Sequence, residues 1–142
     1  MAKTQLPNLD RLAAKTAQEI VSQHSGNAKE LENWVTKALG VLQENGVYAC
    51  LLYLYAQSEN YTKTIRDELL KMLDDEMLKS LRIGLDSDLN SWEKVSNQLL
   101  EERKLFDDLD KLFLVKELFE QTLIYARYGA KAAKVGSEGT QE

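Results

Sequence analysis

The 142-residue chain contains one cysteine, one histidine and one proline. Cys50 alone cannot build a disulfide framework, and Cys50 with His24 falls short of the four ligands of a structural zinc site. A di-iron bundle needs two Glu-x-x-His pairs, which a single histidine cannot supply. A Ser-His-Asp or Cys-His device would have to run through His24, which sits beside Ser25-Gly26, where a solvent-exposed capping residue is the simpler reading. Cys50, between Ala49 and Leu51, reads as a buried, inert thiol, and no glycine-rich phosphate loop is present. The acid runs Asp74-Asp75-Glu76 and Asp107-Asp108 read as solvated faces rather than Mg²⁺ sites. These absences predict no enzyme activity, no cofactor and no metal. Long hydrophobic runs are missing too: the longest, Val47 to Ala56, is half of the ~20 residues a membrane span requires. Met1 to Gln5 opens without an apolar secretory core, so a soluble, cytoplasmic protein is expected.

What is present is apolar spacing of three and four along nearly the whole chain, 44% of which is hydrophobic and 29% charged. The expectation is an all-α, single-domain bundle of about six helices over residues 1–134, with 135–142 as a frayed tail. Asn8 or Asp10 caps a first helix striped by Leu9, Leu12, Ala13, Thr16, Ala17 and Ile20. A second, with Leu31, Trp34, Val35, Ala38, Leu39 and Leu42, stops at Asn45-Gly46. A third, about Val47 to Gln57, is apolar almost all round and is expected at the centre. Its tyrosines, Tyr48, Tyr53 and Tyr55, read as packing residues before a base-stacking platform, and Trp34 and Trp92 as core anchors. A fourth helix carries Tyr61, Ile65, Leu69, Met72 and Leu73 and either continues or breaks before Met77, Leu78 and Leu81. A fifth is capped by Asp86, Ser87 or Asp88 and striped by Leu89, Trp92, Val95, Leu99, Leu100 and Phe106. The sixth, about Leu109 to Lys134, is the longest.

Charge is unevenly spread. The net value of −5 argues against bulk electrostatic binding of nucleic acid, and residues 67–110 hold thirteen acids against six bases. Residues 111–134 reverse this, with five bases and two acids. On a wheel with Lys116 at zero, Arg127 falls at ~20°, Lys131 at ~60° and Lys134 at ~0°, opposite the apolar arc at ~180–320°. The strip is expected to point outward, where it is either an ordinary solvated face or a row of cations matched to a polyanion backbone.

Two segments carry a resemblance. Ala38-Leu39-Gly40-Val41-Leu42-Gln43-Glu44-Asn45-Gly46-Val47 is an apolar helix closed by Asn-Gly and followed by a small-and-aliphatic helix. Leu114-Val115-Lys116-Glu117-Leu118 is followed by Ile124-Tyr125-Ala126-Arg127-Tyr128-Gly129-Ala130. In this pattern the chain resembles the small all-helical subunit of the type III-B CRISPR (Cmr) RNA-targeting effector complex, with Ile124 at a usually aromatic position and Ala126 where Lys is usual. The resemblance implies a non-catalytic subunit in several copies, stacked beside other Cmr subunits and lining the path of guide RNA and target RNA in antiviral defence. By motif position Lys116 and Arg127 would touch the RNA backbone. Lys131 and Lys134 join them only through the helical wheel. The alternative is a helical protein-interaction adaptor with no nucleic-acid partner.

Overall fold

The structure is a computed structural model that describes residues 8–73, 90–100 and 109–139, with side chains up to Val135 in the last segment. The described residues form six α-helices and no strand: α1 (Leu9–Gln23), α2 (Ala28–Asn45), α3 (Val47–Ala56), α4 (Asn60–Leu73), α5 (Trp92–Leu100) and α6 (Leu109–Gly139), with a 3₁₀ turn at Ser25–Asn27 between α1 and α2. The chain is thus an all-α bundle.

Local chemistry sets the helix ends. Asn8 is the α1 cap: its side-chain oxygen accepts the Arg11 N–H at 3.0 Å, satisfying one of the donors a helix start leaves open. Gly46 separates α2 from α3 in a single residue. Its φ of 94° and ψ of −174° lie in a region almost reserved for glycine, and from there its N–H reaches Leu42 O at 2.9 Å while its carbonyl accepts Cys50 N at 3.0 Å. One residue thereby ends one helix and starts the next. α5 begins at Trp92, past the expected caps Asp86, Ser87 and Asp88, which lie outside the described residues. Ser91 does the work, its hydroxyl accepting the Lys94 N–H at 3.3 Å and its carbonyl the Val95 N–H at 3.1 Å. The possible continuation of α4 through Met77 to Leu81, both acid runs and the position of Phe106 lie outside the described residues.

The apolar stripes meet in one core, in which Ile20, Leu31, Leu42, Leu51, Leu69, Leu73 and Phe119 are fully buried. α6 runs the length of the core beside α1 and α2. Asp10 meets Tyr125 and Val21 meets Gly129, so α1 lies parallel to α6, while Glu32 faces Lys131 and Lys134, so α2 lies antiparallel. α4 packs across α1, α2 and α3. α3 buries Val47, Cys50, Leu51 and Leu54 but leaves Leu52 44% exposed, so its apolarity is covered on most sides rather than all, and the longest contacts belong to α6. Past Lys134, the expected edge of the folded part, α6 continues to Gly139. A lone Gly136 costs a helix only about 1 kcal/mol, too little to stop a ladder already propagating.

Candidate nucleic-acid interface

The helical wheel of α6 resolves into three faces. Val115, Phe119, Thr122, Leu123, Ala126 and Ala130 are buried at ~240–340°. The most open arc lies at ~60–140° and carries Phe113, Tyr128 and Val135, each 60% to 64% exposed. Lys116, Arg127 and Lys134 fall between these two and Lys131 at the near edge of the open arc, and all four are half-buried. The outward strip expected from sequence is therefore corrected to a half-buried line: Lys131 and Lys134 sit on the shoulder of the seam where α6 meets α2, and Lys116 and Arg127 continue the line along α6. The physical reason is that the buried arc ends near ~340°, so a side chain at ~0–20° lies against the neighbouring helix and not in open water.

Across the seam stands Glu32 of α2. Its two oxygens lie 3.5 Å from Lys131 Nζ and 3.7 Å from Lys134 Nζ. Both distances exceed the ~2.8 Å of a charge-assisted hydrogen bond, and pairs of this exposure contribute only about 0–1 kcal/mol. One carboxylate thus half-satisfies two ammonium groups. Arg127 and Lys116 make no ion pair among the described residues, and the buried Nε of Arg127 has no hydrogen-bond partner. A buried N–H without an acceptor is costly.

At its far end the seam opens into a cleft of about 190 Å³ bordered by Ser25, Asn27, Lys29 and Lys134. This cleft lies at the N-terminus of α2, whose first turn has no side-chain cap. A positive helix end and two lysines form an environment suited to phosphate.

The other residues singled out from sequence lie elsewhere. His24 is the α1 C-cap, its N–H reaching Val21 O at 3.1 Å, but it is half-buried rather than solvent-exposed: its Nε2 is 2.8 Å from Thr64 Oγ1 and its ring lies 4.7 Å from Tyr61, so it ties the α1 end to the first turns of α4. Burial holds its pKa below the usual 6.5, and a hydrogen bond with the Asn60 backbone opposes that shift. Cys50 is buried against the Ala38 carbonyl at 3.6 Å, and burial pushes its thiol up to about 12. Tyr48 and Tyr55 flank Trp92 at 5.2 Å and 5.0 Å, and Tyr53 is half-buried. Trp34 is half-buried beneath the Lys37 ammonium, 4.6 Å above its ring. Among the described residues no three His, Cys, Asp or Glu side chains come together as a metal-binding group. No helix among them is long and apolar enough to cross a membrane.

Two features escaped the sequence reading. Arg66 is a buried arginine within α4, bonded to Asp67 at 2.9 Å and Asn90 at 3.2 Å and lying 4.3 Å over the Tyr55 ring. Its place one residue after the core position Ile65 was the available signal. Arg11 and Lys15 line a groove on the opposite flank of α6, and their spacing of four, continued by Gln18 and Ser22, was legible as one face of α1. No family model, no curated protein and no solved structure matches the chain.

Proposed function

We propose that the chain is a non-catalytic structural subunit of a type III-B CRISPR (Cmr) ribonucleoprotein effector, present in several copies and contacting guide RNA and target RNA through their backbones. The reading rests on the two resembling segments around Gly46 and Arg127. The observation that supports the RNA contact is the line of Lys116, Arg127, Lys131 and Lys134 along α6, interrupted by Glu120, in which Lys131 and Lys134 share the carboxylate of Glu32 at long range and Lys116 and Arg127 have no ion pair among the described residues. Phosphate oxygens would pair with the charged ends of these side chains and release counterions, with a binding energy that falls as salt rises. Each copy would contribute few contacts, so retention would come from many copies along one polymer. Other Cmr subunits would supply cleavage, and the assembled particle would act in the cytoplasm.

The test is charge reversal at Arg127→Glu with Lys131→Glu in the assembled complex. The expected result is weaker target-RNA retention at roughly physiological salt, with helicity unchanged. Unaltered retention overturns the RNA-lining role and favours the adaptor, as does purification of the tagged protein from its host with a protein partner but no short guide-like RNA.

A further inference from the structure

α1 and α6 run side by side, and the groove between them, of about 790 Å³, lies away from the α2 seam. Its floor is Ala14, Ala17, Val21 and Gly129. The helices approach so closely at Gly129 that a Cβ there would stand 3.1 Å from Val21 Cγ2. Arg11 and Lys15 form the α1 rim, continued by Gln18 and Ser22, and this rim contains no acid. Neither cation has an ion pair among the described residues, and both are exposed. Tyr125 forms the α6 wall, its hydroxyl held by Asp10. Just outside it stands the exposed ridge of Tyr128 and Val135, with half-buried Ile124.

We infer that this groove docks an amphipathic helix of a partner protein, with a small or aliphatic stripe on the floor and carboxylates facing Arg11 and Lys15. Three observations specify this occupant. A trough between two parallel helices floored by Ala and Gly lets a third helix approach at the ~8–10 Å axial distance of ordinary helix packing. The floor offers methyl groups and no side-chain donor, which matches a Leu or Ala stripe. The unpaired cations stand along one rim, so they select acidic flanks on the incoming helix. The site uses no residue of the α2 seam and goes beyond the RNA-lining reading.

The experiment uses the full chain and a fluorescent synthetic helix of about 18 residues, with a Leu/Ala stripe and Glu flanks, alongside a copy with Lys in place of Glu. Anisotropy should show the Glu peptide binding and the Lys peptide binding at least about tenfold more weakly. Arg11→Glu with Lys15→Glu should reverse that preference. Ala14→Trp, at an exposed floor position, should block both peptides without altering helicity, while Arg127→Glu should leave Glu-peptide binding unchanged. The proposal is overturned by failure of the Glu peptide to bind, by equal binding of the two peptides, or by a preference that survives the rim reversal. It is equally overturned if a short single-stranded RNA occupies the groove in a manner that depends on Arg11 and Lys15.

Discussion

The corner formed by α3, α4 and α5 and the face formed by α1, α2 and α6 treat polar groups in opposite ways. In the corner, buried polar groups find partners inside the chain. Arg66 is bonded to Asp67 and Asn90 and stacked on Tyr55, the Tyr48 hydroxyl meets Ser96 Oγ at 2.9 Å, and Trp92 closes on both tyrosines. On the face, Lys116, Arg127, Arg11 and Lys15 have no ion pair among the described residues, and Lys131 and Lys134 share one carboxylate at long range. Satisfied polar networks rigidify a fold, whereas unsatisfied cations are available to something outside it. On the proposed reading, the difference separates residues that hold the molecule together from residues left open to a partner.

The comparison is broken most severely from the core beneath both regions. Phe119→Ala removes the largest fully buried side chain and should cost about 3–5 kcal/mol, measured as a lowered urea midpoint, with RNA retention lost only because the fold is lost. Arg66→Ala should cost about 2 kcal/mol, since it removes the Arg66 bonds to Asp67 and Asn90 and its stacking on Tyr55. At temperatures where that variant stays folded, RNA retention should be unchanged, and a loss of retention there would merge the two regions into one functional unit.

A smaller effect is expected from pH. The folded-state pKa of His24 is depressed by burial, so its contribution to stability is complete above the unfolded value of 6.5 and is lost as pH falls from that value through the folded one. Urea midpoints measured across this range should decline more in the wild type than in His24→Gln, and equal slopes would remove His24 as the tie between α1 and α4. The subtlest change sharpens the comparison on the face. Glu32→Gln should alter stability by less than about 0.5 kcal/mol, while releasing Lys131 and Lys134 to strengthen RNA retention and steepen its salt dependence. Weaker retention in this variant would mean that Glu32 positions the lysines.

Much of the core was legible because it depends on periodicity. In α1, Leu12, Ala13, Thr16, Ala17 and Ile20 are all buried as their spacing requires, and in α2 the same holds for Leu31, Val35, Ala38, Leu39 and Leu42. Gly46 was legible for another local reason, since Asn-Gly after an apolar stripe is a helix stop whatever surrounds it. The candidate site was legible only as a set of angles. Lys116, Arg127, Lys131 and Lys134 do share one strip, but a wheel drawn for one helix cannot include the neighbour that partly covers it. His24 was misread as solvent-exposed because Thr64 and Tyr61 lie about forty residues away in sequence. Ser91 was overlooked as the α5 cap because three acceptors upstream, Asp86, Ser87 and Asp88, fit the same local pattern.

By itself, the sequence determined that this protein is helical, where most of its helices begin and end, and which side of each is apolar. These properties follow from backbone conformation and from a repeat of 3.6 residues, which act over one or two turns. Only the tertiary structure decided that Arg127 is half-buried with an unpaired Nε, that Glu32 divides itself between two lysines, and that Arg11 and Lys15 border a groove floored by Gly129. Those outcomes depend on which helix packs beside which and at what distance. Packing is decided by the summed burial of all the helices, and no single segment encodes it.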